Sequence, residues 1–167
     1  MKANFFMFRN SAGFTLLELV IVILVIVILV AVALPQYQKV VEKSRATEGV
    51  ILIRAILEAQ QLYHLANGTY SKDLEELDIQ VPGDVSTPKG HALSVRSTKF
   101  FDCSAASTGT DESIIAYCSR RGLQGSYYIY ALKDKAIRCG WGSGSPGGAK
   151  WCKLLTGKTA RGSLVKL

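Results

Sequence analysis

Hydrophobic positions are spread very unevenly along the chain. Leu19 to Leu34 is an unbroken run of sixteen apolar residues, and Phe14 to Leu17 with Glu18 extend the segment to twenty-one. At about 1.5 Å per residue, a helix of that length spans roughly 30 Å, the thickness of a bilayer core. The run is rich in Val and Ile, which are weak helix formers in water. In lipid that preference is overridden, because a lone segment can satisfy its backbone only as a helix. A buried core helix is the competing reading, but such helices usually carry a polar stripe. Glu18 is the one charge inside the segment, and a carboxylate placed there needs a reason.

After Pro35 the pattern changes without an obvious stop. "QYQKVVEKSRATEGVILIRAILEAQQLYHLA" mixes polar and apolar residues at helical spacing. The spacing predicts a stripe of Val40, Val41, Val50, Ile53, Ile56 and Leu57, continued by Leu62 and Leu65, with Lys39, Glu42, Lys43 and Glu58 facing away. Asn67-Gly68 is a C-terminal stop signal. One helix is therefore expected from Phe14 to about Ala66, roughly 80 Å long. Pro35 and Gly49 are its interior weak points, and Pro35, lacking a backbone donor, is expected to kink or loosen it.

From Gly68 the periodicity shortens. "KDLEEL" reads as a short helical turn, and "HALSVRS", "SIIAYCSR", "SYYIYALK" and "AIRCGW" read as strands. "KDKA" at 133–136 is a turn, and Gly-rich "GWGSGSPGG" reads as an ordered loop. The expected class is α+β: a long helix laid against a small antiparallel sheet.

Cys103, Cys118, Cys139 and Cys152 all lie beyond the apolar segment, and no pair has C-x-x-C spacing. An even count in an anchored chain suggests two disulfides on the oxidising side of a membrane. Three connectivities are open. The neighbour pairs 103–118 and 139–152 are favoured, each closing a modest loop for about 3 kcal/mol in the chain-entropy view. Lys2 and Arg9 precede the span while Lys39, Lys43 and Arg45 follow it. Charge alone therefore leaves orientation open, and the cysteines place the C-terminal region outside.

Catalytic and nucleotide motifs fail on inspection. His64 and His91 are isolated; Gly142, Gly144 and Gly147 match G-x-G-x-x-G but no helical pattern follows; Gly157-Lys158-Thr159 lacks the first glycine of a P-loop. Asn67-Gly68-Thr69 is a weak glycosylation sequon. No nucleophile, metal cage or acid–base pair emerges, so neither an enzyme nor a cofactor is expected. Charge is asymmetric: Ser113 to Leu167 holds ten Lys and Arg against one acid, while Gln36 to Glu112 holds eleven acids against eight bases. This fits a solvated surface, lateral attraction between copies, or contact with DNA or acidic surface polymers.

Gly13-Phe14-Thr15-Leu16-Leu17-Glu18-Leu19 resembles the cleavage and N-methylation motif of type IV prepilins, with a short basic leader before it and Pro35 as mature residue twenty-two. "SRATEG" at 44–49, "NGTY" at 67–70, "LEELDI" at 74–79 and "WCKLLTG" at 151–157 are similar to features of major pilins. The resemblance implies the type IV pilin fold with a disulfide-bonded C-terminal region. It divides the chain into a leader (1–13), a membrane and filament-core half-helix (14–35), an amphipathic half-helix (36–66) and a globular head (67–167). It also implies that a prepilin peptidase cuts between Gly13 and Phe14 and methylates the new Phe14 amine. Glu18 would pair with the Phe14 amine of a neighbouring copy, and Pro35 would shape the helix for assembly. The implied partners are further pilin subunits, the peptidase, and an inner-membrane platform with its assembly ATPase. The implied location is the inner membrane as a single-pass precursor, then an extracellular filament for motility, adhesion or DNA uptake. The alternatives are a pseudopilin of type II secretion and a membrane-anchored extracytoplasmic binding protein that never polymerises. Major pseudopilins often carry a calcium site, and the sequence has no acid cluster near its C-terminus.

Overall fold

The structure, a computed structural model, describes residues 13–86, 94–106, 112–123, 126–142, 145–158 and 163–164. Helix α1 runs Leu16–Asn67. The chain forms two units that divide between Lys39 and Val40, so α1 contributes to both.

In the first unit α1 is apolar on every side. Each large hydrophobic residue from Leu16 to Val30, with Val32 and Leu34, is exposed. The helix is long and apolar enough to cross a membrane. Pro35 lies inside it and helix is assigned on both sides. Since proline cannot donate to the carbonyl four residues back, Ala31 loses that partner while the turn continues.

In the second unit α1 packs on a sheet that has seven strands among the described residues, in sequential order. The strands are β1 (Asp84–Ser86), β2 (Val95–Ser97), β3 (Phe101–Ser104), β4 (Ile114–Arg120), β5 (Tyr127–Leu132), β6 (Ile137–Trp141) and β7 (Ser163–Leu164). Every neighbouring pair is antiparallel. Helix α2 (Pro146–Thr156) lies between β6 and β7 in the chain. Strand alternation decides the faces. Tyr127, Ile129 and Ala131 are buried while Tyr128, Tyr130 and Leu132 are half-exposed, the period of two expected of a pleated strand with one covered face.

The face that α1 buries differs from the expected stripe. Glu42, Ala46, Gly49, Ile53, Ile56 and Gln60 are buried, at alternating steps of four and three that keep them on one side of a helix. Val50 and Leu57 flank this line, but Val40, Leu62 and Leu65 are exposed. Glu42, expected to face away, sits 3% exposed in the core. Gly49 is a contact point rather than a weak one: a Cβ there would stand 2.8 Å from the Phe101 ring. α1 ends where Gly68 adopts φ 72° and its N–H reaches the His64 carbonyl at 2.8 Å.

Two further expectations change. "GWGSGSPGG" is not all loop, because α2 starts at Pro146 and ends before Gly157, which takes φ 74° and donates to the Lys153 carbonyl. Proline at a first turn and glycine at a C-cap are favoured positions. A helix therefore does begin within the G-x-G-x-x-G spacing, but β6 is antiparallel to both its neighbours, so among the described residues no parallel crossover is there to build a dinucleotide site. The strand read in "HALSVRS" is β2 at Val95–Ser97; residues 91–93 of that stretch, including His91, lie outside the described residues, as do Gly144 and Thr159. β1, β3 and β7 were not expected from the sequence pattern.

Cys103 is bonded to Cys118, its direct cross-strand partner on β4. Cys139 on β6 is bonded to Cys152 on α2. The favoured neighbour pairs are the ones present.

Candidate functional site

The chemistry of the first unit is concentrated between Gly13 and Glu18. Gly13, Phe14 and Thr15 precede the helix without regular structure, and Phe14 is 82% exposed. The peptide bond between Gly13 and Phe14 therefore lies outside the helical hydrogen-bond ladder, in the open backbone a protease needs. Residues 1–12, which hold the rest of the expected leader, lie outside the described residues.

Thr15 and Glu18 form a reciprocal cap. The Thr15 N–H and hydroxyl both donate to Glu18 Oε2, at 2.9 and 2.7 Å, and the Glu18 N–H donates to Thr15 Oγ1 at 3.2 Å. This is a capping box, which satisfies the first orphan donors of a helix with a side chain on each partner. The T-x-x-E spacing at 15–18 was visible in the sequence and carries a local reason for the acid. Glu18 Oε1 has no partner among the described residues. One carboxylate oxygen is thus held by the chain itself and the other is left over.

Residues 8–34 match the family model described as the prokaryotic N-terminal methylation motif. The match supports a type IV pilin-like prepilin N-terminus. The long N-terminal helix, the antiparallel sheet and the C-terminal disulfide together fit the type IV pilin α+β fold. The motif and the exposed apolar helix fit an inner-membrane-anchored precursor that goes on to form an extracellular pilus, and they fit a structural subunit. Comparison with curated proteins gave no match, and comparison with solved structures gave none either.

The second unit holds α1 to the sheet through buried polar groups that the sequence pattern does not single out. Arg120 Nε and Nη2 donate to the two oxygens of Glu42 at 2.7 and 3.0 Å, and the Tyr127 hydroxyl donates to Oε1 at 2.9 Å. Arg120 Nη1 donates to the carbonyls of Phe100 and Arg121. Its guanidinium is held in the charged form chiefly by its hydrogen bond to Glu42. Burial, reinforced by the Glu42 charge, pushes the Tyr127 hydroxyl well above the usual phenol range. Farther along, Gln60 is 0% exposed. Its Nε2 lies within hydrogen-bond distance of the Ser71, Ala105 and Ile115 carbonyls, while its Oε1 accepts from the Ser71 N–H. These two polar side chains join α1 to elements far away in sequence.

The remaining candidates resolve simply. His64 stacks at a tilt on Tyr70, ring centroids 4.4 Å apart. Among the described residues, no group of three or more His, Cys, Asp and Glu could hold a metal ion. In the basic C-terminal third, Arg120, Arg121 and Arg138 pair with Glu42, Asp102 and Asp134. Lys133, Lys135, Lys150, Lys153 and Lys158 are exposed.

Proposed function

We propose that the chain is a structural subunit of a type IV pilus, cut between Gly13 and Phe14 by a prepilin peptidase, N-methylated on Phe14, and polymerised through its apolar helix. The observation that carries this is the bare helix. Each large apolar side chain left in water forfeits roughly 1.5–3 kcal/mol of burial. More than a dozen such residues stand exposed between Phe14 and Leu34. Lipid covers them first, and equivalent helices of other copies cover them in the filament.

Glu18 then has two roles in sequence. A charged carboxylate deep in a bilayer costs about 3 kcal/mol on insertion scales. The Thr15 cap relieves part of that cost in the monomer. Once the leader is removed, the cationic Phe14 amine of an adjoining copy meets the remaining oxygen, which favours one axial register between subunits. Extraction from the membrane requires an assembly ATPase acting through an inner-membrane platform. The head fastened by the Cys139–Cys152 bond supports the pilus over the pseudopilin reading.

Intact mass and N-terminal sequencing of sheared surface filaments test the proposal. The expected species starts at methylated Phe14, with both disulfides intact, and Gly13→Ala abolishes it while uncleaved precursor accumulates. Filaments built from uncleaved chains, or normal processing of the Gly13→Ala variant, overturn the reading. Glu18→Ala is expected to leave cleavage intact and impair assembly. A chain that is processed but required for protein secretion, with no surface filament, identifies a pseudopilin instead.

A further inference from the structure

The face of the sheet turned away from α1 carries an ordered grid of polar and aromatic side chains. Cross-strand registers align Ser97 with Asp102, Asp102 with Ser119, Ser119 with Tyr128, and Tyr128 with Gly140. The next row aligns Ser104 with Tyr117 and Tyr117 with Tyr130. Residues directly opposite on one face touch, so the β2–β3–β4 side of this face sets Ser97, Asp102 and Ser119 beside Val95 and a buried Ser104 whose hydroxyl donates to the Ala106 carbonyl, and the β5 side carries phenol rings. A groove of about 290 Å³ lies on the β2–β3–β4 side, lined among others by Ser97, Asp102, Ser104, Tyr117, Ser119 and Arg121.

The groove is internally charge-balanced. Asp102 Oδ1 accepts from the Ser97 hydroxyl at 2.7 Å and faces Arg121 Nε at 3.4 Å. Arg121 Nη1 is tied to the Thr98 carbonyl. Asp102 Oδ2 and the Ser119 and Tyr117 hydroxyls have no hydrogen-bond partner among the described residues. Burial, with the neighbouring Tyr128, pushes the Tyr117 hydroxyl up to about 12, so it stays a neutral donor and acceptor. At its edge, the Tyr117 and Tyr128 rings lie with centroids 5.2 Å apart, and Tyr128 and Tyr130 5.7 Å apart. Tyr128 lies down against Gly140, where a Cβ would come within 2.5 Å of the ring. The absent side chain lets the tyrosine rest on the backbone.

We propose that this outer face binds a neutral saccharide: one sugar ring seated in the hydroxyl groove against Asp102 and Ser119, and its continuation on the tyrosine shelf. Vicinal sugar hydroxyls both donate and accept, matching a carboxylate oxygen beside serine and phenol hydroxyls. The rings are tilted to one another by 35° and 48°, so the apolar C–H face of a pyranose matches the face of a single tyrosine with its polar tip. An apolar peptide lacks the hydroxyls to satisfy this lining. An anionic ligand finds its cation, Arg121, already paired. The site stands whether or not the chain polymerises, so its test is separable from that of the filament reading.

Saturation-transfer NMR on the full-length protein in detergent micelles, with methyl glycosides of mannose, galactose and N-acetylglucosamine and a methyl sialoside, decides the matter. The expected result is transfer to at least one neutral glycoside. Ser119→Leu, which fills the groove, and Asp102→Asn each weaken binding about tenfold or more, while Lys153→Ala on α2 leaves it unchanged. Wild-type protein labelled with 13C-tyrosine gives a readout that needs no variant: ring signals shift on adding the bound glycoside. Transfer to the sialoside alone, no transfer to any neutral glycoside, undiminished binding by a folded Ser119→Leu protein, or unmoved tyrosine signals each overturn the proposal.

Discussion

Glu42 and Arg120 are 78 positions apart in sequence and share two hydrogen bonds, with both side chains 4% exposed. The pair locks one turn of α1 against the end of β4. Tyr127 adds a third bond to the same carboxylate, and the guanidinium lies 5.2 and 5.7 Å from the Phe100 and Phe101 ring centroids. A buried charge with its partners in place is tolerated; one stripped of them is not.

Removing Glu42 strands the Arg120 guanidinium, and removing Arg120 leaves the buried Glu42 with the Tyr127 hydroxyl and, at 3.7 Å, Arg45 Nη1. Glu42→Ala or Arg120→Met is expected to destabilise the second unit by about 3–5 kcal/mol. Glu42→Leu combined with Arg120→Met removes both charges and should cost less than either single change. Chemical denaturation of the full-length protein in detergent measures all the variants, and a double variant as unstable as the sum of its parts contradicts this account.

Gly49 meets the Phe101 ring so closely that any side chain forces movement. Gly49→Ala gains about 1 kcal/mol of helix propensity but overpacks the interface at a cost of about 1–3 kcal/mol. Net destabilisation is expected, with partial rescue when Phe101→Leu is added. A thermal melt of both variants beside the wild type checks the order.

Gln60→Leu keeps the volume and discards four buried contacts. The Ser71 N–H and the Ser71, Ala105 and Ile115 carbonyls each lose this partner. At about 1–3 kcal/mol for each buried group left unsatisfied, the loss should exceed that of Leu57→Ala on the flank of the same helix. Amide exchange at Ser71 is expected to accelerate most.

The acid limb of stability should include Asp73. The Ser94 hydroxyl, and then the Glu75 N–H, hold its carboxyl below the usual carboxylate range. Because the folded value is depressed, the stabilisation is present above the unfolded value of about 3.9 and fades as pH falls through the folded one. Asp73→Asn should lower stability at neutral pH and flatten its fall as pH drops below about 4. Urea midpoints across that range show whether the limb belongs to this residue.

Much of this was readable from sequence, and the failures have physical causes. The membrane-length helix is legible because lipid demands an unbroken apolar run. β4, β5 and β6 are legible because one covered face imposes alternation. The packing face of α1 was legible at Val50, Ile53, Ile56 and Leu57, which are buried as expected, and obscured elsewhere because Glu42 and Gln60 occupy core positions while Ala46 and Gly49 add little apolar signal. Only Arg120 and the carbonyls around Gln60, distant in sequence, make those polar residues sensible inside. α2 was obscured by Pro-Gly-Gly at its start, although Gly157 marks its end. β3, four residues long, is recognisable mainly through its pairing with β4. The Thr15–Glu18 cap, by contrast, was in plain view at a spacing of three.

The two disulfides each join a cysteine to the next one along the chain. For a polypeptide threaded outward behind a fixed N-terminal anchor, this connectivity allows each bond to close in the order its cysteines emerge. Each thiol finds its proper mate as the first newcomer, and no crossed intermediate has to be reshuffled before the domain can close.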